Sequence, residues 1–247
     1  MATVGAVTSA VPPGGEPTRR ATARLALFPL PMPLFPGTPL PLHVFEPRYR
    51  QLVADVRASE PIHQHFGVVG TRSPAGMTPS ASAADLRAVG TTARVLEVEE
   101  FDDGRYDITT IGSRRFRLLR LVDDGHPYLV GEVEWIDTPL QADEEVPPPL
   151  VDSVASAFDT YIATVARLQD LTLDDLELPS SGESLSWTVA TVALLTGDER
   201  HDLLATVSTS DRLLHELAML RRETALIRAT RTLPATDGML AVDHSNS

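Results

Sequence analysis

His63 and His65 stand two residues apart. On an extended strand that spacing puts both imidazoles on one face, where they could chelate a metal ion. No third ligand follows at a matching spacing, so the pair reads as a solvated strand start and no metal is expected. Glu97, Glu99, Glu100, Asp102 and Asp103 form an acidic run of the kind that serves calcium binding or paired-carboxylate catalysis. Glu97 and Glu99 share a strand face, however, and Arg115 and Arg117 recur at the same two-residue period, so cross-strand ion pairing is the simpler expectation. Ser, His and Asp all occur, yet no G-x-S-x-G elbow anchors a hydrolase triad. Neither G-x-G-x-x-G nor G-x-x-x-x-G-K-[ST] is present. His43, His126, His201, His215 and His244 are scattered singly and are expected at the surface or as caps.

All 21 basic residues are arginine, so Schiff-base chemistry, a phosphate-loop lysine and a Ser-Lys dyad are excluded from this sequence. Cysteine is absent too, which removes disulfides, thiolate zinc sites and cysteine nucleophiles, and accords with a cytoplasmic location. No cofactor is expected. The net charge of −13 is uneven: residues 1–140 carry 14 Arg against 16 acidic groups, residues 141–247 carry 7 against 18. Such an acidic balance repels phosphate backbones, so nucleic acid is not the expected partner. No apolar run is long enough to span a bilayer, and no membrane association is expected.

The elements that must position any site begin after an expected disordered tail over 1–23. Leu25 to Leu30 reads as a strand; seven prolines then interrupt residues 27–53, so Pro29 to Pro41 is expected as an edge strand and an irregular crossover. Leu40 to Phe45 is again extended. Glu46-Pro47 opens a helix, with Tyr49, Leu52, Val53 and Val56 at helical spacing. "HFGVVG" is a buried strand, followed by a loop from Ser73 to Ala84. "GTTARVLEVEEF" and "RYDITTIG" form a hairpin about Asp103-Gly104, and "SRRFRLLRLV" and "YLVGEVEWID" make two further strands.

β signals stop at "QADEEVPPPL". The expected organisation is a β-rich domain over 24–140, a proline-rich linker over 141–149, a helical bundle over 150–232 and a loose tail over 233–247. Apolar stripes run through Val151, Val154, Ala155, Phe158, Ile162 and Val165, through Leu185, Thr188, Val189, Val192 and Leu195, and through Leu213, Leu217, Leu220, Thr224 and Ile227. Ser210 or Asp211 is the expected N-cap of the last helix. The fold class is therefore α+β: a mixed, largely antiparallel β pseudo-barrel with one main helix, followed by a C-terminal α-helical bundle.

The crossover carries the binding expectation. Arg48 is expected to brace it, since prolines leave backbone acceptors without donors. An apolar edge with unpaired backbone groups can accept an extended segment by strand addition. The expected peptide-contacting residues are Leu34, Phe35 and Phe45, with Arg48 and Tyr49 as polar anchors; core packing is the competing reading for the two phenylalanines. An enzyme using His43, Glu46 or Tyr49 is a weaker alternative.

"LALFPLPMPLFPGTPLPLHVFEPRYRQLV" resembles the opening of the N-terminal, substrate-binding domain of Lon proteases, with its F-P-L, L-F-P-G, L-P-L and F-E-x-R-Y pattern. The likeness continues through "FGVV", "GTTARVLEVEEFDDGRYDITTIGSRRFRLL", "PYLVGEVEWI" and the helical "SWTVATVALLTGDERHDLLATVSTSDRLLHELAMLRRE", covering about residues 24 to 231. The resemblance implies a PUA-like barrel followed by helices, and recognition of unfolded or extended protein segments. The sequence stops where a Lon ATPase would begin. It is thus expected to be a stand-alone, non-catalytic protein-binding module, an adaptor or regulator in protein quality control with a separate protease as a further partner. PUA-like barrels also bind RNA or small ligands, which is the alternative.

Overall fold

The computed structural model describes residues 22–72, 82–136, 146–171 and 177–233. Six strands, β1 (Thr22–Leu30), β2 (Pro39–Val44), β3 (His65–Thr71), β4 (Leu86–Glu100), β5 (Tyr106–Val122) and β6 (Leu129–Ile136), pair in the order β2-β5-β4-β3-β1-β6. Because β5 also pairs with β6, five of them close into a ring and β2 hangs outside it. Only β1 and β3 are parallel; the other pairs are antiparallel. A parallel neighbour requires a crossover, and residues 31–64 supply it through β2 and helix α1 (Pro47–Ala58). The fold class is thus the expected one, with the barrel fully closed.

β5 unites two segments expected as separate strands. Its first half pairs with β2 and its second with β6. At the changeover lies Gly112, where a Cβ would stand 2.0 Å from the Phe35 carbonyl oxygen, so only glycine lets the crossover pass so close. The β4–β5 turn likewise needs Gly104, at φ 78°; Asp103 keeps an ordinary φ.

α1 starts at Pro47 as expected, where a missing N–H costs nothing, and buries Tyr49, Leu52, Val53 and Val56 against Phe28, Phe66 and Val68 of the barrel. The Tyr128 hydroxyl donates to Asp55 at 2.7 Å and pins the helix to the start of β6. A second barrel core joins Leu25, Leu27, Val69, Leu86, Phe116 and Val133.

Among the described residues the C-terminal part has four helices: α2 (Pro148–Leu168), α3 (Gly182–Val192), α4 (Gly197–Ala205) and α5 (Thr209–Thr230). α2 takes Pro148 and Pro149 into its first turn; the preceding spacer, the two tails and most of the 73–84 loop lie outside the described residues, and Ala83–Asp85 form a single 3-10 turn. α4 has no counterpart among the expected elements, although the Thr196–Glu199 capping box marks its start. α5 is capped by Ser208, not by Ser210 or Asp211: the Ser208 hydroxyl accepts from the Asp211 N–H at 3.2 Å. The helical core takes in Phe35, Val89 and Ile136 from the barrel side, so the two parts share one core.

Candidate functional site

The Gly112 N–H donates to Thr38 O at 2.9 Å, and the Thr110 hydroxyl donates to Leu40 O at 2.8 Å. Alternate residues of an antiparallel strand address the same neighbour. Leu40, Leu42 and Val44 therefore turn their backbone groups to β5, while Pro39, Pro41 and His43 turn theirs outward. Two of those three are prolines, so the free edge offers three carbonyls and a single N–H. Strand addition along β2 is blunted by its own sequence.

The outer face of β2, β5 and β4 is different. Pro41, His43, Glu97, Glu99, Asp107 and Thr109 line an open cleft of about 790 Å³. His43 Nδ1 donates to Asp107 at 2.5 Å, and Arg105 Nη1 approaches Nε2 at 3.4 Å, which fits the same tautomer. The Phe45 and Phe101 rings lie 6.2 and 6.3 Å from the imidazole. Phe45 is 60 % exposed, an uncovered aromatic at the end of β2. Glu97 faces Thr109 and Glu99 faces Asp107 in the ladder, whereas Arg115 and Arg117 face Thr91 and Val89. The expected Glu–Arg pairs do not form, because the hairpin register sets them several rows apart.

The five expected peptide contacts separate. Leu34, 5 % exposed, packs in the barrel core; Phe35, 2 % exposed, faces Trp187 of α3 with ring centroids 5.8 Å apart. Tyr49 stacks on Phe28 at 4.2 Å, and burial pushes its hydroxyl pKa up. Phe45 and Arg48 remain at the surface. Arg48 does not brace crossover carbonyls: its Nε donates to Glu46 at 2.9 Å and its guanidinium lies 4.6 Å from the Tyr49 ring centroid. The crossover is held instead by its own backbone, by Gly37 N–H to Gly112 O at 2.9 Å, and by the Thr38–Thr191 hydroxyl contact of 3.1 Å to α3. Between Pro36–Pro39 and α3 runs a second groove of about 480 Å³, walled by Glu183, Trp187 and Val192.

Three ionisable residues that the binding expectation does not include, Arg115, Arg212 and Glu216, are buried. Arg115 leaves the barrel wall and donates to the carbonyls of Leu204 and Thr206 at 2.8 and 2.6 Å. Arg212 lies 3.7 Å from the Trp187 ring centroid, its Nε donating to Ser186 Oγ, which in turn donates to Glu216 at 2.8 Å. Burial raises the Glu216 carboxyl to about 8, against the opposing pull of Ser186 and Arg212. His201 is buried beneath Gly70 rather than exposed, and desolvation lowers its pKa. His63 falls in a 3-10 turn, off the β3 strand that His65 begins. Among the described residues no three His, Asp or Glu side chains cluster to hold a metal, and no helix is long and apolar enough to cross a membrane.

A closed mixed barrel, a helical part keyed into it and an open acidic and aromatic face make the build of a recognition module. The model of the "ATP-dependent protease La (LON) substrate-binding domain" matches residues 24–222, and the chain belongs to that family. The Lon protease of Anaeromyxobacter dehalogenans is 26% identical over 199 residues, 81% of this chain and 23% of that protein. Lon protease 2 of Syntrophobacter fumaroxidans is 28% identical over 204 residues, 81% of this chain and 24% of that protein. The chain thus spans about a quarter of these curated relatives, and the match is to the substrate-binding domain, not to the ATPase or protease domains. A Lon N-terminal domain protein from Xanthomonas campestris superposes with a TM-score of 0.58 at 26% identity, over 79% of this chain and 98% of the other. The N-terminal domain of Mycobacterium avium complex Lon protease, at 16% identity and a TM-score of 0.56 over 81% and 98%, shares the fold.

Proposed function

We propose that the chain captures extended or unfolded segments of other proteins on the outer face of β2, β5 and β4, without catalysis of its own. The observation that carries this reading is Phe45: a large ring left 60 % exposed beside an open cleft, in a substrate-binding-domain fold. Phe45 and Arg48 are the contacts at the surface, whereas Leu34, Phe35 and Tyr49 are buried in the cores and serve packing. The barrel presents the face, and the helical part, from α2 at Pro148 onward, packs against the barrel through Phe35, Val89 and Ile136. In this role the protein acts in the cytoplasm as an adaptor or regulator, holding segments that a separate protease degrades. Nothing on this face favours RNA, since its unpaired charges are carboxylates.

The test is a fluorescence-anisotropy titration with labelled unfolded polypeptides, without nucleotide. Saturable binding, weakened at least several-fold by Phe45→Ala, is the expected result. Absence of binding across a broad panel of unfolded chains would discard the proposal.

A further inference from the structure

We infer that the segments taken by this face are basic, extended stretches carrying Arg or Lys at alternate positions; this deepens the proposed capture function and rests on it. Glu97 and Glu99 line the cleft and, among the described residues, neither side-chain carboxylate has a hydrogen-bond or ion-pair partner. Asp102, in the adjoining turn, is likewise unpaired. The other acids here are engaged: Asp107 with His43, Asp103 with Arg105, Glu100 with Arg57 and Glu46 with Arg48. Arg94 lies on the same strand, beyond the bulge that separates Val95 from Glu97. The free charge over the cleft is therefore negative.

Geometry selects an extended occupant. Glu97 and Glu99 are two residues apart on β4, about 6.8 Å along a strand, and alternate side chains of an extended peptide repeat at the same distance. A helical segment would bring its charges round every three or four residues and miss one of the pair. The β2 edge adds a second selection. Its outward groups are nearly all acceptors, so it meets donors such as guanidinium and ammonium groups more readily than another strand's alternating donors and acceptors. Side chains rather than sheet extension then carry recognition, with Phe45 seating an apolar or aromatic residue at the end of the segment.

Three labelled 12-residue peptides test this, identical except for Arg, Ser or Glu at alternate positions and sharing one aromatic residue, titrated at low and high salt. The Arg peptide should bind about 5-fold tighter than the Ser peptide at low salt, the gain expected of two exposed ion pairs. Glu97→Gln with Glu99→Gln should erase most of that difference and leave the Ser peptide unaffected. High salt should do the same. Equal binding of the Arg and Glu peptides, both weakened by Phe45→Ala, would overturn the charge preference while leaving capture intact. Silence from all three peptides and from unfolded proteins would remove the underlying reading, and this inference with it.

Discussion

The Arg115 guanidinium, rooted in barrel strand β5, ends 2.6 Å from the carbonyl oxygen of Thr206, in the turn between α4 and α5. It also reaches Leu204 O at 2.8 Å and lies 5.2 Å from the Trp187 ring centroid. One side chain thereby satisfies backbone acceptors that the end of α4 leaves open. Replacing it strands the Leu204 carbonyl inside a shared core and leaves Thr206 O with the Arg212 Nη1 contact at 3.3 Å. Arg115→Met is expected to cost about 2–4 kcal/mol in urea denaturation, in line with the penalty for unmade buried hydrogen bonds. Arg115→Lys should recover only part, because an ammonium lacks the planar fork that reaches several acceptors together.

The two phenylalanines of the binding expectation should behave oppositely. Phe35→Ala opens a cavity beside Trp187 and is expected to destabilise by about 3–5 kcal/mol. Phe45→Ala removes an exposed ring and should move stability by less than about 0.5 kcal/mol. Peptide affinity should fall in the folded Phe45 variant. Paired denaturation and anisotropy measurements on both variants check this contrast.

Gly112→Ala would push a methyl into the Phe35 carbonyl, backbone against backbone. The crossover must shift, at a cost of about 1–3 kcal/mol. Since Phe35 rests on Trp187, the near-ultraviolet circular dichroism of the tryptophan should change along with the midpoint.

Glu216 ties stability to pH. Its carboxyl is raised to about 8 in the folded chain against an ordinary value of 4.5, so between those values the folded state holds more protons than the unfolded one. The stabilising contribution is complete below about 4.5 and is lost as pH rises through 8. Denaturation midpoints are expected to decline between about pH 5 and 8, and Glu216→Gln should flatten that decline. His201 acts with the other sign. Its pKa is lowered by burial, so its contribution is present above its ordinary value of 6.5 and lost as pH falls. The Glu216→Gln variant should therefore keep an acid-side loss while losing the alkaline one.

Helix α1 and its buried face, Tyr49, Leu52, Val53 and Val56, are legible in the sequence because helical periodicity and a proline at the first position are local signals. The β4–β5 hairpin is legible for the same reason, through Asp103-Gly104. The union of two strands into β5 is not, since Gly112 looks like a strand end until the crossover is laid across it. Arg115 departs from its expected pairing for a related reason. Period-two spacing says which residues share a face but not which row of the next strand they meet, and the bulges in β4 shift that register. Phe35 and Phe45 carry identical side chains in a similar proline-rich setting, and only one of them is covered.

Local chemistry by itself thus determined helix α1, the β4–β5 hairpin and the absence of lysine- and cysteine-based catalysis. Tertiary packing alone decided that the ring closes through β5 and β6, that barrel and helices share a core, and that Glu97 and Glu99 stand free while Arg115 is buried. The physical reason is range: propensity, capping and turn geometry act within a few residues, whereas register, burial and charge pairing depend on which distant strand or helix arrives alongside.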